Sequence, residues 1–209
     1  MNKPFLIVVT GRPGSGKTTL AHALAKEIRC PAFCRDELKE GFVNTVNSSH
    51  AALGTNVNWS IYETFFQAVT LLLANGITLV IEAAFQHKLW APKLRPLLSI
   101  SRVRIVLCSI DPQLARSRVI QRGLFDANRE RFHGDVTVHA ARDNIQLPIG
   151  NYNPPRLPVP TLEVDTTNGY RPGIDAIVSF AMQTIEQPKN ESLTEQGEAE
   201  TALRGTTNF

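Results

Sequence analysis

The sequence predicts an α/β fold with three layers, α/β/α, around a mainly five-stranded parallel sheet. Two observations predict it. Short apolar runs rich in β-branched residues alternate along the chain with segments in which apolar residues recur at helical spacing. A glycine-rich loop also joins the first apolar run directly to the first helical segment. Alternation of this kind builds right-handed βαβ units, which place helices on both faces of a parallel sheet.

Each element has its own local signal. The apolar runs predict strands at residues 5–10, 31–34, 77–83, 103–110 and 161–165. Helical periodicity predicts helices at residues 18–28, 36–43, 59–74, 88–98, 112–122 and 173–186. Asn75 followed by Gly76 is a typical helix end, and Asp111 followed by Pro112 is a typical helix start.

Residues 1–186 are predicted to form one domain, and residues 187–209 a disordered tail. Within the domain, residues 123–142 carry several arginines and little apolar periodicity, which predicts a mobile Arg-rich lid. Residues 148–160 contain five prolines and predict an extended connector. The tail is polar and has no apolar period, so it lacks a face that could pack against the domain.

Charge and cysteine content narrow the class of protein. A net charge of +3 is too small for a dedicated nucleic-acid binder, although it permits a phosphate-rich ligand. The cysteines, Cys30, Cys34 and Cys108, form no C-x-x-C pair, so neither a disulfide framework nor a zinc site is expected and a reducing compartment fits best. The first apolar run is too short for a signal-peptide core or a membrane span. We therefore expect a cytoplasmic protein with no membrane partner.

The loop at residues 11–18 fits the pattern G-x-x-x-x-G-K-[ST], and it lies between a predicted strand and a predicted helix, as a phosphate-binding P-loop does. Glycines let successive backbone N–H groups point at phosphate oxygens, and the helix N-terminus favours an anion. Lys17 is placed to reach the β- and γ-phosphates of ATP, and the Thr18 hydroxyl to bind Mg²⁺. The residues expected to contact the nucleotide are Gly11, Arg12, Pro13, Gly14, Ser15, Gly16, Lys17, Thr18 and Thr19.

Two acidic residues follow predicted strands. Because ligands bind beyond the carboxyl ends of parallel strands, Asp36 is expected near the loop, where it could accept the proton of an attacking hydroxyl. The alternative is a plain N-cap for the next helix. Glu82 ends a buried strand, where a carboxylate is expected to position Mg²⁺ together with Thr18. The alternative for Glu82 is a strand-end side chain that faces solvent.

Arginines and aromatic residues carry weaker signals. Arg118 and Arg122 share one helix face, and they are the arginines expected to stabilise charge on a transferring phosphoryl group. The alternative is a solvated surface. The aromatic residues of the third predicted helix are expected to pack mostly in the core rather than to form an acceptor-stacking platform: Trp59, Tyr62, Phe65 and Phe66.

The segments G-R-P-G-S-G-K-T-T-L, C-R-D-E-L-K, V-I-E-A-A-F and I-D-P-Q-L-A-R-S-R-V-I-Q-R resemble the small P-loop kinases over about residues 5–186. The branch they resemble most contains polynucleotide 5′-hydroxyl kinases, zeta-toxin-like kinases and chloramphenicol phosphotransferases. The resemblance implies that Asp36 is the general base and that Arg118 or Arg122 is the lid arginine near the γ-phosphate. Lys39 and Glu82 stand where the polynucleotide kinases carry arginine and commonly aspartate.

Together these patterns predict a kinase that uses ATP and Mg²⁺ to phosphorylate a hydroxyl of a small-molecule acceptor. A nucleic-acid end is the alternative acceptor, which would make the protein a polynucleotide 5′-hydroxyl kinase. An NTPase that acts on water and a non-catalytic nucleotide-binding switch are the remaining alternatives. An increase in ATP turnover that depends on an acceptor would separate the kinase from both.

Overall fold

The computed structural model describes residues 2–49, 52–126, 129–145 and 147–183, and its centre is a parallel sheet. Its strand order is β2-β3-β1-β4-β5, with all four neighbouring pairs parallel. The strands are β1 Phe5–Gly11, β2 Ala32–Cys34, β3 Leu79–Glu82, β4 Arg102–Ser109 and β5 Thr161–Asp165. All five predicted strands and the predicted three-layer class are thus confirmed.

Helices cover both faces of the sheet. They are α1 Lys17–Ile28, α2 Arg35–Thr45, α3 Thr55–Ala74, α4 His87–Leu94, α5 Pro112–Phe125, α6 Arg129–His133, α7 Val136–Arg142 and α8 Ile174–Met182. A 3-10 helix, Arg95–Ser99, follows α4. The α-helix does not continue regularly through Pro96, because proline has no backbone N–H to donate to the preceding turn. No helix in the described part of the chain is long and apolar enough to cross a membrane.

The core lies on the two faces of β1. Leu6 and Val8 face the aromatic side chains of α3 and α4, whereas Ile7 and Val9 face α1 and α8. Every residue of β1 is buried, as expected for a central strand of a parallel sheet.

Some predicted boundaries were wrong. Helix α3 begins at Thr55, four positions before the predicted start, in a segment where asparagines hide the helical signal. The final helix ends at Met182, and residues 184–186 of the prediction lie outside the described residues. The predicted tail at residues 187–209 also lies outside them. The helix signals at Asn75 and Asp111 are confirmed: Asn75 is the C-cap of α3, and Asp111 Oδ1 accepts hydrogen bonds from the backbone N–H groups of Gln113 and Leu114, both at 2.9 Å.

The predicted lid segment contains helices α6 and α7, which bridge two distant parts of the domain. At one end, the backbone of Gly123 in α5 lies against Val138 of α7, where a Cβ atom would come within 2.4 Å of the valine side chain. At the other end, His133 Nε2 lies 2.8 Å from Glu40 of α2. The segment therefore crosses from α5 to α2 over the edge of the sheet at which the predicted site residues lie.

Candidate functional site

The loop at residues 11–18 turns between β1 and α1 in the way that phosphate binding requires. The backbone N–H of Ser15 donates to the carbonyl of Arg12 at 3.1 Å, which closes the turn. Gly14 and Gly16 have φ angles of 84° and 76°, a region that glycine occupies without strain. At Gly14 the loop also passes very close to α5, because an added Cβ would lie 2.1 Å from the carbonyl oxygen of Ala115.

The two glycines predict different mutational outcomes. Gly14→Ala is expected to lower the free energy of unfolding by about 3 kcal/mol or more, because it combines left-handed strain with a backbone clash. Gly16→Ala is expected to cost only about 1–2 kcal/mol, since nothing lies within 4 Å of its added Cβ and only the strain remains. Urea unfolding of both variants measures the difference. Equal losses would show that α5 does not contact the loop as described.

Lys17 and Glu82 form a buried ion pair at the centre of the site. Lys17 Nζ lies 3.5 Å from Glu82 Oε1, and the Thr18 hydroxyl donates to Glu82 Oε2 at 3.1 Å. Glu82 is only 1% exposed, so the alternative of a solvent-facing strand end is excluded. Burial raises the pKa of Glu82, and the Lys17 cation opposes that rise. The carboxylate, the ammonium group and the hydroxyl thus meet at the carboxyl end of β3, as the sequence predicts.

Several buried polar atoms at this site make no hydrogen bond, which indicates a ligand. They are Ser15 Oγ, Arg35 Nε and Glu82 Oε1, of which the last has only the longer ion-pair contact with Lys17. Such atoms are rare in folded proteins unless a ligand, ion or water satisfies them. A nucleotide phosphate fits the Ser15 hydroxyl and the backbone of the loop. Mg²⁺ fits the oxygen set of Thr18 and Glu82, since it prefers hydroxyl and carboxylate ligands.

Asp36 lies in the first turn of α2, beside the loop. Helix α2 begins at Arg35 with Cys34 as its N-cap, so the alternative of Asp36 as the N-cap is wrong. The Asp36 side chain is half exposed, and its Oδ1 lies 3.0 Å from Arg35 Nη1. Burial acts to raise the pKa of Asp36, but the charges of Arg35, Lys17 and His133 outweigh it and lower the pKa below the ordinary value. Asp36 is therefore a carboxylate at neutral pH, close enough to Lys17 to feel its charge.

The two candidate arginines have different surroundings. Arg118 donates to the backbone carbonyls of Thr166 and Thr167, at 3.1 and 2.8 Å, which ties it to the loop after β5. Arg122 is largely exposed. Partial burial and the cation of Arg129 lower its pKa, and the carboxylates of Asp135 and Asp36 oppose that shift. Arg122 therefore lies within electrostatic range of Asp36.

The arginines of the predicted lid, residues 123–142, make contacts with other residues rather than only with solvent. Arg129 pairs with Asp135 at 3.2 Å, Arg142 pairs with Glu130 at 2.6 Å, and Arg131 donates to the carbonyl of Ser48 at 3.1 Å. These contacts hold the predicted lid together and attach it to the segment that follows α2.

A tyrosine that the sequence analysis missed closes one side of the site. The Tyr152 hydroxyl hydrogen-bonds to Thr10 Oγ1, which itself donates to the carbonyl of Ala83 at 3.0 Å. Burial raises the pKa of Tyr152 to about 12. The proline-rich connector is thereby fixed to the ends of β1 and β3. A cleft of about 320 Å³ lies between this connector, the first residues of α5 and the outer arm of the loop at Arg12 and Pro13. No sequence pattern around Tyr152 predicts its hydrogen bond with Thr10.

Three possible metal ligands also lie beside β2, where the sequence predicts no zinc site. The donor atoms of His22, Cys34 and Glu37 all lie within 4.8 Å of one another. His22 Nε2 and Glu37 Oε1 are already hydrogen-bonded at 2.6 Å. Burial raises the pKa of the Cys34 thiol, as do the neighbouring carboxylates of Glu82 and Glu37.

The fold and the loop define a P-loop protein of the nucleotide-binding, kinase-like α/β class. A family model described as an AAA domain, AAA_33, matches residues 6–146, and the chain belongs to this family. The resemblance to the small P-loop kinases is thereby confirmed, and nucleotide binding follows from the family. No curated protein matches the chain.

Several solved kinase structures share the fold. A candidate kinase from Chloroflexus aurantiacus is 26% identical, with a TM-score of 0.73 over 88% of this chain and 100% of that chain. The APS kinase CysC of Mycobacterium tuberculosis, solved with AMPPNP and APS, is 17% identical, with a TM-score of 0.55 over 86% of this chain and 95% of that chain. A chain of the Pnkp1/Rnl/Hen1 RNA repair complex is 15% identical, with a TM-score of 0.52 over 72% of this chain and 50% of that chain. The last two likenesses concern the fold alone.

Proposed function

We propose that the protein is an ATP- and Mg²⁺-dependent kinase that transfers the γ-phosphoryl group to a hydroxyl of a small-molecule acceptor. One observation carries this proposal. An ionised carboxylate, Asp36, lies beside a phosphate loop whose lysine and metal-binding oxygens converge on the same sheet edge. A hydrolase can use the same carboxylate to orient water, so the dependence of ATP turnover on an acceptor is what distinguishes the kinase from it.

Each residue has a definite task in this reaction. The loop backbone and Lys17 hold the β- and γ-phosphates, and Thr18 and Glu82 hold Mg²⁺, which when bound neutralises phosphate charge. Asp36 accepts the proton of the acceptor hydroxyl as the oxygen attacks the γ-phosphorus. The bond from the γ-phosphorus to the bridging oxygen breaks, and ADP leaves. Arg122 is the better candidate for the transferring group, because both terminal nitrogens of Arg118 already donate to backbone carbonyls.

The charge around Asp36 favours a small acceptor over a nucleic-acid strand. Lys93 pairs with Glu63 at 2.5 Å, Arg35 pairs with Asp36, and Lys39 is only 5% exposed. These cations therefore offer little open basic surface along which a phosphate backbone could bind.

A polynucleotide 5′-hydroxyl kinase is the second candidate, because Trp59 is 54% exposed and could stack on a base. Efficient end-labelling of 5′-hydroxyl DNA or RNA at low salt, with affinity that falls steeply as salt rises, would favour this candidate over the small acceptor.

Mass spectrometry of an acceptor panel tests the proposal. Metabolites, nucleosides and antibiotics are incubated with ATP, Mg²⁺ and the protein, and products are sought with the mass added by one phosphoryl group. We expect at least one phosphorylated product and ATP turnover that rises with that acceptor. ATP turnover that no acceptor stimulates would indicate an NTPase, and binding without turnover would indicate a switch.

The lid should close over the nucleotide. Residues 123–142 connect α5 to α2 beside the site, so a bound nucleotide would add contacts that order this segment. We expect slower amide exchange in this segment when a nonhydrolysable ATP analogue and Mg²⁺ are present. Exchange that is identical with and without the analogue would refute the lid.

A further inference from the structure

A second pocket is lined in part by Arg35, the ion-pair partner of Asp36. Its volume is about 200 Å³, below the range of typical drug-sized sites, so it suits a ring-sized part of a ligand. The residues that line it are Arg35, Asn58, Trp59, Tyr62, Leu89 and Trp90, and we call it the aromatic pocket. Trp59 was predicted to pack mostly in the core, but it is 54% exposed; the prediction is confirmed for Tyr62, Phe65 and Phe66.

The walls of the aromatic pocket are held rigidly. The Tyr62 ring lies edge-on to Trp59 and to Trp90, with ring centroids 5.4 and 4.9 Å apart. The Tyr62 hydroxyl donates to the carbonyl of Leu89 at 2.7 Å, which joins α3 to α4. The ion pair of Lys93 with Glu63 joins the same two helices. Because these contacts restrain the side chains that line the pocket, binding against the exposed indole costs little conformational entropy.

Arg35 connects the aromatic pocket to the proposed chemistry. It lines the pocket, its side chain is 21% exposed, and its Nη1 pairs with Asp36. A guanidinium plane stacks well on aromatic rings, as an indole does. The pocket therefore presents two kinds of planar surface, one of them bonded to the candidate base.

We infer that the aromatic pocket binds the acceptor, and that the acceptor is an alcohol attached to a planar aromatic ring. The ring lies against Trp59 and Arg35, and the hydroxyl-bearing substituent reaches Asp36. This inference rests on the proposed kinase function, since it names the class of substrate for the same site. A saturated sugar or aliphatic alcohol would contact the indole only through its C–H groups and could not stack as a plane on Trp59 or Arg35.

Binding of three probes tests the inference without any need for catalysis. Adenosine and benzyl alcohol are both alcohols with a planar ring; adenosine represents nucleosides and benzyl alcohol represents simple aryl alcohols. Cyclohexylmethanol is the saturated counterpart of benzyl alcohol. Ligand-observed NMR and Trp fluorescence of the full chain measure their affinities in the absence of ATP. We expect at least one planar probe to bind more tightly than cyclohexylmethanol. Whichever of adenosine and benzyl alcohol has the higher affinity indicates whether the acceptor is a nucleoside or a simple aryl alcohol.

Variants locate the binding. Trp59→Ala is expected to weaken binding of the planar probe by about five- to a hundredfold, as loss of one stacking partner does, and Trp59→Phe to retain most of it. Leu71→Ala is the matched control, because Leu71 is exposed on the same helix and does not line the pocket. Equal affinity for planar and saturated probes, or no loss in Trp59→Ala, would overturn the inference.

The two proposals can fail separately. If planar probes bind at Trp59 but the panel with ATP yields no phosphorylated product, the pocket stands and the kinase function fails. If the panel instead yields a phosphorylated acceptor without an aromatic ring, and Trp59→Ala transfers to it normally, the kinase function stands and the pocket inference fails.

Discussion

Asp36→Asn is expected to bind ATP about as tightly as the unmodified protein and to transfer phosphate about 10²–10⁴ times more slowly, the usual span for loss of a general base. The amide is nearly isosteric with the carboxylate, but it cannot accept the proton of the acceptor hydroxyl. Its oxygen can still accept the hydrogen bond of Arg35 Nη1, so the start of α2 should keep its structure. Calorimetry with ATP and steady-state rates with the acceptor found by the panel provide the two measurements.

Glu37→Gln is the matched control for this variant. It makes the same change of carboxylate to amide one residue further along α2, where the side chain is 46% exposed and bonds to His22 rather than to Arg35. We expect its transfer rate to stay within a fewfold of the unmodified rate. A normal rate in Asp36→Asn would show that Asp36 is only the ion-pair partner of Arg35.

The sequence predicted the elements of the site that depend on sheet topology. The loop, Asp36 and Glu82 each follow or end a strand, and in a parallel sheet the carboxyl ends of all strands lie at one edge. The register confirms the consequence, because Glu82 of β3 lies opposite Val9 of β1 and Cys34 of β2. Local patterns that identify a strand are therefore enough to place the residues that follow it.

Contacts between distant segments could not be predicted in this way. Trp59 has the helical spacing of a core residue, but its ring is exposed and lines a pocket together with Leu89 of α4. Tyr152 reaches Thr10 across 142 residues of sequence, and no periodic pattern records that contact. Arg118 and Arg122 share a helix face, yet the hydrogen bond to the loop after β5 is made by Arg118. In each case the partner lies on an element whose position is set by packing rather than by local sequence.

The predicted lid shows the same limit in its secondary structure. Residues 129–142 have weak apolar periodicity because α6 buries no residue and α7 buries only Val138 and Ala140. Helices this short need external contacts to be stable. Here those contacts are ion pairs and the packing of Val138 against Gly123, which a search for an apolar face does not detect.

Lys17→Ala is expected to lose at least about tenfold in ATP affinity or turnover, because charged hydrogen bonds contribute roughly 1.5–3 kcal/mol each. The variant should also be less stable. Removing one partner of a buried ion pair typically costs about 3–5 kcal/mol, because the other charge stays buried. Burial already raises the pKa of Glu82, so its carboxyl group can take up a proton when Lys17 is absent. The loss of unfolding free energy should therefore be near the lower end of that range, about 3 kcal/mol. Urea unfolding and ATP titration measure the two effects separately.

A second variant separates binding from stability. Lys17→Ala combined with Glu82→Gln removes the unpaired buried charge, so the double variant should recover most of the lost stability while ATP affinity stays low. Lys26→Ala is the control on the same helix, since Lys26 is exposed in the last turn of α1, away from the loop. If the double variant recovered ATP affinity along with stability, Lys17 would act by neutralising Glu82 rather than by binding phosphate. ATP affinity and turnover that are unchanged in Lys17→Ala would contradict the role of the loop altogether.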